Sequence, residues 1–167
     1  MRRGQVVLVD TNIIIEAVRS RCWNALVTHF RVETVEKCLE EALTGDPLRR
    51  SYVEVDARSV KTGLAQTHKV MAIHAARFVV ALPMADELDA GERELFAHAL
   101  SRNDEWLACC ADRAALKAAF TLGWMDRMVS LEQLANLAGA QPALKHHFGK
   151  RWLADVRTAF LLEQGLP

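Results

Sequence analysis

Two apolar runs in this chain stop at an aspartate and pass straight into helix-forming sequence. Val6 to Val9 lead into Asp10, and Trp106 to Ala111 lead into Asp112. A short, continuous apolar run fits a strand buried on both faces. Strands that hand over at once to helices predict an α/β fold, a three-layer α/β/α arrangement around a mostly parallel sheet. In such sheets ligands bind beyond the carboxyl ends of the strands, where Asp10 and Asp112 fall. A carboxylate there must be solvated, paired or bound to something, because desolvating it alone costs several kcal/mol.

The rest of the chain fills in the layers. Thr11 to Val18 and Trp23 to His29 read as helices, and Phe30 to Val32 as a short strand. A helix is expected from Val35 to Leu43, closed by Gly45-Asp46-Pro47. Leu48 to Leu82 is mixed: Ser51 to Val55 alternates like a strand, and Lys69 to Val80 suits a helix. A helix capped near Asp89 follows, then the strand before Asp112 and a helix over Arg113 to Phe120. Asp126 to Val129 reads as one more strand and Leu131 to Leu137 as a helix. Leu144, Phe148, Trp152, Val156 and Phe160 mark a long amphipathic C-terminal helix, destined for the core or for a second subunit, so a homodimer is expected. With no repeat and no linker, residues 1–167 form one domain, a core of about 5–137 with a helical extension of about 141–163.

Further acids point inward. At about 100° per residue, Glu92 falls on the apolar face made by Leu95, Phe96, Ala99 and Leu100, whereas Glu94 points away. An acid in a first helical turn also simply complements the helix dipole. On the helix of Val35 to Leu43, Glu40 flanks the apolar stripe and Glu41 lies further round, and Glu36 and Glu41 read as solvated. Converging carboxylates raise one another's pKa unless a cation sits between them. Mg²⁺ and Mn²⁺, hard ions that take carboxylate oxygen and water, suit the role.

Composition narrows the class. In 167 residues, 51% are hydrophobic and 25% charged, which is globular rather than disordered. The formal net charge is zero, so nucleic-acid contact must come from a local patch. No apolar run approaches the ~20 residues that span a bilayer, and Asp10 interrupts the apolar residues a signal peptide needs. Cys22, Cys38, Cys109 and Cys110 form no CxxC and no disulfide framework, which predicts reduced thiols in the cytoplasm and no membrane association.

The order of motifs resembles the PIN-domain ribonucleases. The quoted stretches are "VLVDTN", "TVEKCLEEAL", "AGERELFAHAL" and "ACCAD", spanning roughly Val6 to Leu134. The resemblance implies an acidic metal-binding quartet of Asp10, Glu40, Glu92 and Asp112, with Glu41 and Glu94 as alternatives. Asn12 would orient Asp10 or contact phosphate, and Thr11 would support it, although a helix start explains Thr11 equally. It further implies Mg²⁺- or Mn²⁺-dependent cleavage of RNA to 3′-hydroxyl and 5′-phosphate ends, and an antitoxin protein as partner. The chain departs from the pattern at Cys110, where the family has threonine or serine two residues before the last acid. It is also longer than the toxin branch, through Leu48 to Val70 and the C-terminal helix.

Two rivals stand beside this reading. A PIN-like domain without chemistry would bind RNA or protein only. A phospho-receiver domain would pair Asp10 with Asp56 as phosphoryl acceptor, but shows here no acidic pair at the first strand and no late lysine. The basic stretches around Arg49, Arg50, Arg58, Lys61 and Lys69, and around Lys145 to Arg151, read most simply as solvated charge. His98 lies off the apolar face and reads as surface.

Overall fold

A computed structural model describes residues 1–45 and 53–163. The expected turn residues Asp46 and Pro47, the basic pair Arg49 and Arg50, and Ser51 and Tyr52 of the alternating stretch lie outside them. The first half of the chain runs β1 (Val6–Val9), α1 (Thr11–Arg19), α2 (Trp23–His29), β2 (Arg31–Val35), α3 (Glu36–Leu43), α4 (Ala57–Gly63) and β3 (Gln66–His68). The second half runs α5 (Ala72–Ala81), α6 (Ala90–Leu100), β4 (Trp106–Cys109), α7 (Arg113–Thr121), α8 (Leu131–Leu137) and α9 (Lys150–Glu163).

The sheet is parallel throughout, in the order β3-β2-β1-β4. Four residues of β1 decide the layering. Leu8 points into one core with Phe78, Leu95, Phe96, Leu116 and Phe160, the layer of α5, α6, α7 and α9. Val7 and Val9 point into the other with Ile13, Trp23, Leu26, Val60 and Leu134, the layer of α1, α2, α4 and α8. Alternate side chains of one strand thus feed two cores, which is why β1 reads as unbroken apolar sequence. The expected α/β/α architecture is what the chain adopts.

Chain order sets the position of the site. From β1 the chain steps outward to β2 and β3, then returns to place β4 on the other side of β1. The C-terminal ends of β1 and β4 therefore flank the point where the winding reverses, the crevice of an open parallel sheet. Asp10 follows β1 directly, and Asp112 lies three residues beyond β4.

Several elements differ from the sequence reading. The strand expected at Phe30 to Val32 is β2, Arg31–Val35. Val53 to Asp56 form no strand, and α4 and the three-residue β3 occupy ground where neither was expected. In place of a strand at 126–129 there is a 3-10 turn, Met125–Arg127, and a single parallel bridge between Ala108 and Met128. A 3-10 turn at His146–Phe148 precedes α9, which starts only at Lys150. Its stripe of Leu153, Val156 and Phe160 is buried in the chain's own core, not left for a partner. Among the described residues no helix is long and apolar enough to cross a membrane.

Candidate metal centre

Three aspartates cap three helices at one edge of the sheet. Asp10 Oδ1 accepts the Ile13 amide at 2.8 Å to start α1. Asp112 Oδ1 accepts the Ala114 amide at 2.6 Å and that of Ala115 at 3.4 Å to start α7. Asp89 Oδ1 accepts the Glu92 amide at 2.7 Å to start α6, and Glu92 Oε2 returns to the Asp89 amide at 3.4 Å in a capping box. Each cap satisfies free amides at a helix N-terminus, so the local sequence needs an acid there regardless of function. Each also spends chiefly one oxygen, leaving the other for something else.

For Asp10 that second oxygen has no hydrogen-bond partner, although the residue is 1% exposed. Burial pushes its carboxyl up to about 7; the Ile13 amide and the Cys110 thiol pull it down, and the charges of Asp89 and Asp112 push it further up. Glu92, 4% exposed, is driven to about 8, first by burial and then by Asp89, Asp10 and Asp112. Glu92 therefore lies in the field of Asp89, Asp10 and Asp112, and Asp10 in that of Asp89 and Asp112. Asp89 joins them from the rim, where it is exposed. From sequence Asp89 reads as a cap alone.

Glu40 does not join this group. It is exposed and its Oε2 pairs with Lys37 Nζ at 3.2 Å across one turn. Glu41, the alternative, points the other way: Thr11 Oγ1 donates to its Oε2 at 2.8 Å. The reason is the angle between consecutive helical positions, about 100°, combined with a gap in α6. A Cβ built on Gly91 would lie 2.5 Å from Glu41 Oε2, 3.0 Å from Cys38 Sγ and 3.2 Å from Thr11 Oγ1. Gly91 therefore lets α1, α3 and α6 close around the Glu41 carboxylate. Glu94 is half-buried and faces Lys37, Glu36, Glu40 and Glu41 rather than Asp10. Asn12 is exposed and its side chain makes no hydrogen bond among the described residues, so it does not orient Asp10. Asp56 caps α4 through the Arg58 amide and is exposed on the β/α layer of α2 and α4, away from Asp10.

Gly91→Ala is expected to leave stability within about 1 kcal/mol, because alanine's helix preference offsets the strain and the nearest obstacle is a flexible carboxylate. The same change should swing Glu41 off Thr11 while the melting temperature barely moves. Melts of parent and variant, with a crystal structure of the variant, check it.

The donors suit a hard divalent cation: carboxylates only, one of them with a buried orphan oxygen. No three of these acids bring oxygens within 4.8 Å of one another. Among the described residues the one group that close is Glu33, His68 and His98, beneath α6 on the other side of Leu8 from Asp10.

Comparison with protein-family models and with curated protein sequences finds no match to this chain.

Proposed function

We propose that this protein is a metal-dependent endoribonuclease, acting through Asp10, Glu92, Asp112 and, in place of Glu40, Glu41. The observation that carries the reading is the Asp10 carboxylate: buried, half-unpartnered, and surrounded by other acids at the winding reversal of a parallel sheet. Such a group stays charged only where something of opposite charge repays the desolvation. The order of acidic motifs that resembles PIN-domain ribonucleases points to the same chemistry.

Bound among these acids, Mg²⁺ or Mn²⁺ would supply Lewis acidity toward a phosphodiester and toward water. Asp10 Oδ2 is the oxygen left for the ion, its partner Oδ1 being held rigid by the Ile13 amide. Glu92 and Asp112 hold their positions through the helix ends they occupy, and Thr11 fixes Glu41. Exposed Asn12, one turn into α1, is placed to hydrogen-bond a phosphate oxygen at the surface. An RNA strand, an antitoxin protein and a second copy of this chain are the partners this reading implies; exposed Ile73, Val79 and Val80 on α5 offer apolar surface for a protein partner. A cytoplasmic setting accords with four buried, unpaired cysteines.

The test incubates RNA with purified protein and Mn²⁺ beside Asp10→Asn. Cleavage by the parent alone is expected; equal cleavage by both would betray a contaminating nuclease and defeat the proposal. Glu41→Gln should reduce the rate by roughly 10–100-fold and Glu40→Gln by less than about twofold, since Glu41 is held inward by Thr11 beside Gly91 while Glu40 is exposed and paired with Lys37. Reversal of that ranking in initial rates would remove Glu41 from the assignment. A second reading, an RNA- or protein-binding domain without chemistry, is favoured by Cys110, a poor hydrogen-bond donor facing Asp10. RNA retention on a filter without any cleavage would support it.

A further inference from the structure

We propose that Glu33, His68 and His98 form a second, separate site for a borderline transition-metal ion of the Zn²⁺ class, in which the Arg102 guanidinium is the resident cation that the metal displaces. The proposal is independent of the carboxylate cluster. One ligand atom from each of the three residues lies within 4.8 Å of the others. Glu33 comes from the middle of β2, His68 ends β3, and His98 stands in the last turn of α6. The two imidazoles stack, with ring centroids 3.9 Å apart and planes inclined by 23°.

The centre is already built to hold a cation. Arg102 Nη1 donates to Glu33 Oε2 at 2.7 Å and approaches His98 Nε2 at 3.0 Å. A guanidinium has donors only, so His98 Nε2 must present its lone pair to the centre. His68 Nε2 meets Glu33 Oε2 at 2.8 Å and donates to it in this arrangement. Moving that proton to Nδ1 frees a third lone pair, a tautomer change open to any neutral imidazole. Two imidazoles and a carboxylate, with a fourth place for water, suit Zn²⁺ and its neighbours rather than Mg²⁺.

Arg102 has somewhere to go. It is held in parallel by Asp104, through Nε to Oδ1 at 2.8 Å and Nη2 to Oδ2 at 2.5 Å. Other charged or titratable groups facing the site are Arg31, 3.4 Å from Glu33 Oε1, and His74 on α5. Burial first, then His68 and Arg102, hold the His98 imidazole down at about 4.

Metal-free protein without a histidine tag is titrated with Co²⁺, whose visible absorption reports nitrogen and oxygen ligation in a tetrahedral field. Saturable binding displaced by Zn²⁺ is expected, weakened at least about 100-fold in His68→Ala and His98→Ala and unchanged in Asp10→Asn. Arg102→Gln removes the competing charge and should tighten Co²⁺ binding by about tenfold or more. If the histidine variants fail to fold by circular dichroism, Arg102→Gln decides alone: unchanged or weaker affinity overturns the proposal. So does the absence of Co²⁺ absorption in the parent, binding that survives both histidine changes, or binding lost in Asp10→Asn.

Discussion

Asp10→Asn is expected to melt above the parent protein at pH 8 in the absence of metal, while losing RNA cleavage by at least roughly 10³-fold. The two effects share a cause. A carboxyl whose pKa rises from 3.8 to about 7 on folding favours the folded state fully only below about pH 4. As pH climbs from 4 to 7 the unfolded chain gives up its proton first, and stability of that origin drains away. For Asp10 the loss is on the order of 3–4 kcal/mol by pH 7. Asparagine caps a helix as well as aspartate does and carries no charge. Its buried amide lacks a partner, at about 1–3 kcal/mol, so the net gain is about 2 kcal/mol, or roughly 5 °C. At pH 4, where only the cost of the unpaired amide remains, the variant should melt below the parent. Mn²⁺ should raise the parent's melting temperature at pH 8 and leave the variant's alone. A parent indifferent to Mn²⁺ at pH 8 would end the metal-centre reading.

Arg102→Ala is expected to lower stability by about 3–5 kcal/mol, roughly 10 °C in a chain of this size. Glu33 is 1% exposed in the middle of a strand. Burial alone would raise its carboxyl, but hydrogen bonds from His68 and Arg102 outweigh that and hold it below the ordinary range. Removing Arg102 leaves the charge with His68 and a distant Arg31. Arg102→Lys should recover only part of the loss, since an ammonium cannot bridge Glu33 and fork onto Asp104 together. The depressed carboxyl sets the sign with pH. Its contribution is present above the ordinary glutamate range and disappears as pH falls through the folded value. The parent's advantage over Arg102→Ala should therefore shrink in acid. Urea denaturation at neutral and acid pH measures both statements, and a difference under about 1 kcal/mol at neutral pH would contradict them.

What sequence could and could not reveal follows from the range of each cause. Asp10, Asp112 and the start of α6 were legible because strand ends and helix caps are decided within four residues. Glu92 was legible because its direction is fixed by its own helix. Glu41 was not: whether a helix turns Glu40 or Glu41 inward depends on Gly91, which arrives from a different helix. The polar β3 is three residues long, too short for any period to declare itself, and pairs along a sheet edge. His98 lies off the apolar face of α6, and surface was the natural expectation. It is half-buried, its ring stacked on His68, which in turn meets Glu33, a buried charge in the middle of β2 that no local pattern would place inside. At 126–129 the chain runs beside β4 for a single bridge, so the strand expected there is reduced to one contact by the preceding 3-10 turn.

Glu92 stands in the first turn of α6 and His98 in the last, and six residues of helix put them about 9 Å apart along the axis. Eleven residues without proline make a rod that cannot flex between its ends. Such a rod holds its two ends at a fixed separation, so filling one site leaves the geometry of the other as it was.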